Sequence, residues 1–225
     1  MITFKHSGDL GDIIYSLPTV RLLSQDAHML LDTTTDTKLT EASVGSISGL
    51  LLEQEYVSKV SIYKGEEVDY DLDKFRSVPQ GGRNLVDLHL DAFNLSQNSD
   101  NLKPWLKAKY YLPPLKKVVI SRSCRYQSNH IFWEQLCKTI NLDEAVFIGH
   151  PLEHKVFEMA FGVKVDYHTT ATLSDAAEAI NAAETVYCNQ SCIHAIAQGL
   201  NQSITLELFR LWPNTTFHGS KVVNV

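Results

Sequence analysis

Met1-Ile-Thr-Phe-Lys-His-Ser-Gly-Asp-Leu-Gly-Asp-Ile-Ile-Tyr-Ser-Leu-Pro18 is the stretch whose reading decides the fold. Met1–His6 is a short apolar-polar run and predicts a strand. Ser7-Gly8-Asp9-Leu10-Gly11-Asp12 breaks that run. An apolar helical pattern then covers Asp12–Leu23, interrupted or restarted at Pro18. A strand, a glycine-bearing turn and a helix make half of an α/β unit of the nucleotide-handling kind. The spacing is not G-x-G-x-x-G, so the dinucleotide fingerprint is absent. The glycines permit a tight turn and close backbone approach to a ligand.

The same alternation continues along the chain. Strands are expected at Met29–Asp32, Val57–Tyr63 and Asn84–Phe93. Further strands follow at Val118–Ser121, Ala145–Ile148, Val163–Tyr167, Thr185–Cys188 and Ser203–Leu208. Helical patterns cover Ile47–Gln54, His130–Ile140, Leu152–Phe161, Leu173–Ala183 and Cys192–Gln198. Thr172 or Ser174 is the expected cap of the fourth of these, and Gly199 ends the fifth. Thr33–Thr40 and Asn94–Lys103 are polar and read as loops. Strands alternating with helices imply parallel sheets covered on both faces. Pro113-Pro114 and Lys116-Lys117 mark a linker at 113–117. It divides the chain into an N-terminal unit, 1–112, and a C-terminal unit, 118–225. Two facing Rossmann-like units place a ligand in the cleft between them, beside the strand C-termini.

Composition narrows the function classes. The chain has 225 residues, 44% of them hydrophobic and 20% charged, which suits a globular protein with a sizeable core. A net charge of -6 supplies no overall basic field for nucleic acid, leaving only a local basic patch open. No apolar stretch approaches the roughly 20 residues of a bilayer span. An N-terminal strand carrying Lys5, His6 and Asp9 does not read as a signal peptide. Cys124, Cys137, Cys188 and Cys192 form no C-x-x-C pair and read as free thiols of a cytoplasmic protein. No metal-ligand spacing occurs.

Four stretches carry candidate chemistry. In Ser7–Asp12, either Asp9 or Asp12 caps the following helix, or one of them takes a proton from a hydroxyl nucleophile. In Val186–Leu200 a strand runs into a helix starting at Asn189 or Ser191. Bare N–H groups and the helix dipole there favour a phosphate, with Gln190 between them and His194 in the first turn. The alternative is a capped helix with a structural histidine. In Val119–Tyr126 a strand delivers Arg122 and Arg125 into a loop, and arginine suits forked contacts with phosphate oxygens. In Phe147–Glu153, Glu153 either accepts hydrogen bonds from a sugar hydroxyl or simply marks a helix start.

The order of these signals matters more than each alone. Gly8-Asp9-Leu10-Gly11-Asp12-Ile-Ile-Tyr-Ser-Leu-Pro-Thr-Val20 resembles the N-terminal signature of the heptosyltransferase-like glycosyltransferases that act on bacterial lipopolysaccharide. Leu50-Leu51-Leu52-Glu-Gln-Glu-Tyr-Val57 is similar to the family's segment before its next strand. Cys188-Asn-Gln-Ser-Cys-Ile-His-Ala-Ile-Ala-Gln-Gly-Leu200 resembles its C-terminal signature. The resemblance implies a compact glycosyltransferase B-type fold of two Rossmann-like domains, with the acceptor on the N-terminal side and a nucleoside-diphosphate sugar on the C-terminal side. It implies inverting transfer to a hydroxyl without a metal or other cofactor. The general base falls on Asp12, with Asp9 a second carboxylate beside it. Ser7, Gly8 and Gly11 then belong to the acceptor-side loop. The diphosphate-binding helix start falls on Asn189, Gln190 and Ser191, with His194 alongside. The cationic phosphate contact falls on Arg125, with Arg122 second. Three departures stand out. Asn189-Gln190-Ser191 replaces the usual Asp-Thr/Ser-Gly; the chain is shorter than typical members, its returning C-terminal helices missing or reduced to Phe209–Val225; and Asp9 adds a second carboxylate beside Asp12, so that either residue could be the base. These leave open a non-catalytic nucleotide or sugar-phosphate binding module, or a nucleotide-sugar epimerase or hydrolase. The acceptor, whether lipopolysaccharide core, another glycan, a small metabolite or a modified nucleobase, is not fixed.

Overall fold

A computed structural model describes residues 1–34, 39–95, 104–109, 115–209, 214–215, 217 and 221–225. The first half runs β1 (Ile2–His6), α1 (Leu10–Leu23), β2 (Ala27–Leu31), α2 (Glu41–Leu52), β3 (Val57–Ile62), β4 (Tyr70–Asp71), a 3-10 turn at Leu72–Ser77 and α3 (Leu85–Asp91). The second half runs β5 (Val118–Ser121), α4 (His130–Thr139), β6 (Ala145–Phe147), α5 (Pro151–Phe161), β7 (Asp166–Tyr167), α6 (Leu173–Ala182), β8 (Thr185–Asn189), α7 (Cys192–Gly199), β9 (Ile204–Glu207) and β10 (Val222–Asn224). The strands form two sheets, ordered β3-β2-β1-β4 and β10-β9-β8-β5-β6-β7. Every pairing is parallel; Ile2 lies opposite Ala27 and His6 opposite Leu31.

These two parallel sheets with their helices are the α/β architecture that the strand and helix patterns predict. Helix α1 is the pivot. Its residues Ile13–Val20 are all buried, and the helix packs against both α3 of the first half and α7 of the second. Pro18 lies inside the helix rather than ending it. Helices α2 and α6 pack together beside that contact. One continuous apolar core therefore runs from Phe4 and Ile14 in the first half to Ile180 and Ile196 in the second. A smaller cluster under α4 and α5 contains Trp133, Phe147 and Phe157. Thr172, not Ser174, caps α6, accepting from the Asp175 N–H.

Three expectations change. Asn84–Phe93 is a helix, not a strand. The Asn84 side chain accepts the Asp87 N–H, and Leu85, Val86, His89 and Leu90 face inward at helical spacing. The predicted strand at Val163–Tyr167 shrinks to its last two residues. An unforeseen strand, β10, adds to the edge of the second sheet beside β9. The chain before it returns to the first half without helices in its described part. The Leu85 N–H donates to the Asn214 carbonyl (2.8 Å), and the Phe217 ring stacks on Tyr15. Pro113 and Pro114, residues 35–38 of the loop expected at Thr33–Thr40 and residues 96–103 of that at Asn94–Lys103 lie outside the described residues. The four cysteines are free, and no helix among the described residues is long and apolar enough to cross a membrane.

Candidate active site

The turn after β1 is held from below. The Ser7 N–H donates to Asp73 Oδ1 (3.1 Å), and the Gly8 N–H donates to His6 Nδ1 (2.8 Å). Gly8 is glycine for lack of space. A Cβ there would lie 2.6 Å from His6 Cε1 and 2.8 Å from Asp12 Cβ. Asp9 occupies the N-cap position of α1, yet its side chain makes no capping bond. It instead reaches across to Arg125 of the second half (3.0 Å). Asp12, in the first turn of α1, is half-buried. Burial first, and then the neighbouring Asp9 charge, push its carboxyl up to about 6. Arg76, with Nη2 4.0 Å away, and a hydrogen bond from the Asp9 backbone pull the other way but do not win.

The second half contributes two loops. The first follows β5 and carries Arg125. Asn189, at the end of β8, pins it. Its amide donates to the Ser123 carbonyl (3.0 Å) and the Arg125 carbonyl (2.5 Å), and its oxygen accepts the Ser123 N–H (2.9 Å). The Arg125 guanidinium also bonds the Tyr126 hydroxyl (3.0 Å). The second loop, Gln190–Ser191, starts α7. Ser191 is its N-cap and makes no side-chain capping bond, so the first-turn N–H groups keep no side-chain partner from it. The starts of α1 and α7 meet here: a Cβ on Gly11 would lie 3.8 Å from Cys192 Cα.

Beside the C-terminal ends of β1, β5 and β8, two adjoining cavities of about 320 Å³ and 260 Å³ open. Asp9, Gly11, Arg125, Gln190, Ser191 and Cys192 border both, so the Asp9–Arg125 pair stands at their boundary. The larger adds Asp12, Tyr15, Arg76 and Gln80; the smaller adds Leu10, Leu39 and Ser43.

Other predicted residues have different employment. Arg122 is buried and lines neither cavity. Its guanidinium forms a two-pronged pair with Glu207 (2.9 and 2.9 Å), so it is not placed to contact a phosphate. Glu153 is spent as a helix-start acceptor for the His150 N–H (2.9 Å) and borders neither cavity. His194 is buried on α7, where its Nδ1 meets the Tyr15 hydroxyl (2.7 Å). Asn189 acts through the Arg125 loop, and Ser7 and Gly8 shape the turn from beneath. Sequence reasoning missed Arg76 and Glu207. Arg76 sits in an acidic, weakly patterned stretch. Glu207 ends a strand and carried no signal at all. Its carboxylate accepts from Arg122, the Ser128 and Asn129 N–H groups and the Trp133 indole. Burial alone would raise its proton affinity, but these donors hold it below the usual carboxylate range. Among the described residues no group of three or more His, Cys, Asp or Glu could hold a metal ion.

Solved structures share this fold. A glycosyl transferase family 9 protein from Veillonella parvula superposes over 100% of this chain and 85% of its own, at 12% identity and TM-score 0.65. The E. coli heptosyltransferase WaaC with ADP superposes over 99% and 92%, at 9% identity and TM-score 0.64. E. coli ADP-heptose lipopolysaccharide heptosyltransferase II superposes over 100% and 89%, at 13% identity and TM-score 0.63. The architecture is thus that of the heptosyltransferases, as the N-terminal and C-terminal signatures imply. No protein-family model and no curated protein matches the sequence.

Proposed function

We propose that this protein is a glycosyltransferase that moves a sugar from a nucleoside-diphosphate sugar to a hydroxyl acceptor, inverting the anomeric centre without a metal. The observation that carries this reading is the half-buried Asp12, tuned to about 6 on the wall of a cavity that also presents Arg125 and the start of α7. Asp12 is the base. At neutral pH it is ionised, yet it binds a proton more tightly than an ordinary carboxylate, which suits general-base work. It takes the proton of the acceptor hydroxyl as that oxygen attacks the anomeric carbon. The bond from that carbon to the diphosphate oxygen breaks, and the negative charge grows on the diphosphate. Arg125 and the first-turn N–H groups of α7 stabilise that charge. Asp9 is less suited to be the base, because its carboxylate is engaged by the Arg125 guanidinium across the cleft. The N-terminal unit, up to residue 112, receives the acceptor and the unit from 118 onward holds the donor.

WaaC has been solved with ADP and with an ADP-2-deoxy-2-fluoro heptose, so adenosine-diphosphate sugars are the first donors to try. The test incubates the protein with nucleotide sugars and glycan acceptors and follows nucleoside diphosphate release. Acceptor-dependent release is expected, reduced roughly 100-fold or more in Asp12→Asn at an unchanged fold. Donor binding without turnover across a broad acceptor panel would point to a binding module. Release without any acceptor would indicate a hydrolase.

A further inference from the structure

Beneath the Ser7–Asp12 turn lies a buried histidine pair that the proposed chemistry does not use. His6 and His89 are fully buried, with their Nε2 atoms 3.2 Å apart. Hydrogen-bond direction is set at both ends of the pair. The Leu85 carbonyl can only accept, so His89 Nδ1 donates to it (2.8 Å). The Gly8 N–H can only donate, so His6 Nδ1 accepts from it (2.8 Å). That leaves the proton of His6 on Nε2, pointing at the bare Nε2 of His89. The result is one unbroken chain with two neutral rings, from the α3 backbone to the turn that begins α1. His89 also stacks on Phe75 at 4.1 Å.

We infer that His6 and His89 are positioning residues that hold the Gly8 backbone, and through it Asp12, in the geometry needed for transfer. This rests on the role given to Asp12 above. Three further observations support it. The His6 ring and the Asp12 side chain crowd the same face of Gly8, where a Cβ would lie 2.6 Å from His6 Cε1 and 2.9 Å from Asp12 Oδ2, so a shift of His6 alters the space that the carboxylate occupies. A proton added to either ring would face an N–H group and break the chain. Burial, reinforced at His6 by His89, holds both rings below their usual proton affinity, His89 down to about 4. Asp73, 3.7 Å from His6 Nδ1, and the nearby Lys5 and Arg76 are the charged groups facing the pair. Those facing Asp12 are Asp9, Arg76 and Arg125.

The test is a carbon-13 NMR titration of the Asp12 carboxyl in native protein and in His6→Asn, His6→Leu and His89→Leu, with kcat and KM measured alongside. In the two leucine variants the Asp12 titration should move from about 6 towards the ordinary carboxylate range. Their kcat should fall roughly 10- to 100-fold with donor KM unchanged, as expected when a reacting group is displaced while the donor binds as before. His6→Asn keeps an acceptor for the Gly8 N–H and should recover much of both. If His6→Leu does not fold, His89→Leu cuts the same chain one link further from the turn. A leucine variant with native melting behaviour, an unmoved Asp12 titration and an unchanged kcat overturns the inference. The titration needs no substrate. A native protein that transfers no sugar, but whose Asp12 responds to His6→Leu, would sink the proposed function and leave the positioning role standing.

Discussion

Asp12 carries two consequences of opposite sign. In the proposed role of base it must be ionised, so kcat/KM should rise about tenfold per pH unit up to pH ~6 and then level off. A rate that is flat from pH 5 to 8 would remove Asp12 from the proton transfer. For stability the same shift is a cost. The folded carboxyl binds its proton more tightly than the unfolded one, whose value is 3.8. Between about pH 4 and 6 the native state therefore holds more protons than the unfolded state, and stability falls as pH rises through that window. Above it the penalty is complete. Asp12→Asn should then stabilise the protein by about 1–3 kcal/mol at pH 7 and leave it unchanged below pH 4, as read from urea midpoints. A variant that is both more stable and inactive is the signature of a group strained for function.

At the scale of elements, the loop between β5 and α4 decides where Arg125 stands, and other strands hold that loop. Asn189 of β8 grips its backbone at Ser123 and Arg125. Glu207 of β9 grips it at Arg122, Ser128 and Asn129. Glu207 is fully buried, so removing it strands the Arg122 guanidinium without its counter-charge. Glu207→Ala should cost about 3–5 kcal/mol in denaturant unfolding. Glu207→Gln, which keeps some acceptors, should cost less. Equal losses in both would mean that the charge pair alone, not packing or the remaining acceptor, holds the loop; a Glu207→Gln loss near zero would remove the ion pair from that role. The helix α3 shows how an element escapes one-dimensional reading. Leu85-Val-Asp-Leu-His-Leu-Asp91 alternates like a strand around Leu88 and Leu90. It also places Asp87 and Asp91 four apart on one helical face. The Asn84 cap and the buried His89 settle the choice in favour of helix.

On the scale of the whole molecule, the two sheets are joined by the packing of α1 against α7 and α2 against α6. Their shared apolar core includes Leu17, Leu50, Ala177 and Ile196, all buried. Heat or urea unfolding followed by far-UV circular dichroism and by tryptophan fluorescence should therefore coincide. Trp105 reports on the shared core and Trp133 on the smaller cluster beneath α4. Two separated transitions would show that the halves are thermodynamically independent despite that core.

The sequence by itself determined the layered α/β architecture, most strand and helix positions, and the turn that holds Asp9 and Asp12. Those features follow from local causes: hydrophobic period, capping side chains, and a glycine where a Cβ has no room. It also marked Arg125 and the Gln190–Ser191 helix start, since both lie where a parallel strand ends. Only the tertiary structure decided which charges meet. Asp9 and Arg125 pair across 116 residues, and Arg122 and Glu207 across 85. One arginine was thereby left on a cavity and the other was buried in an ion pair. Periodicity records which face of an element is buried, and an arginine reads the same at either fate. The difference lies in the partner that the fold brings to it.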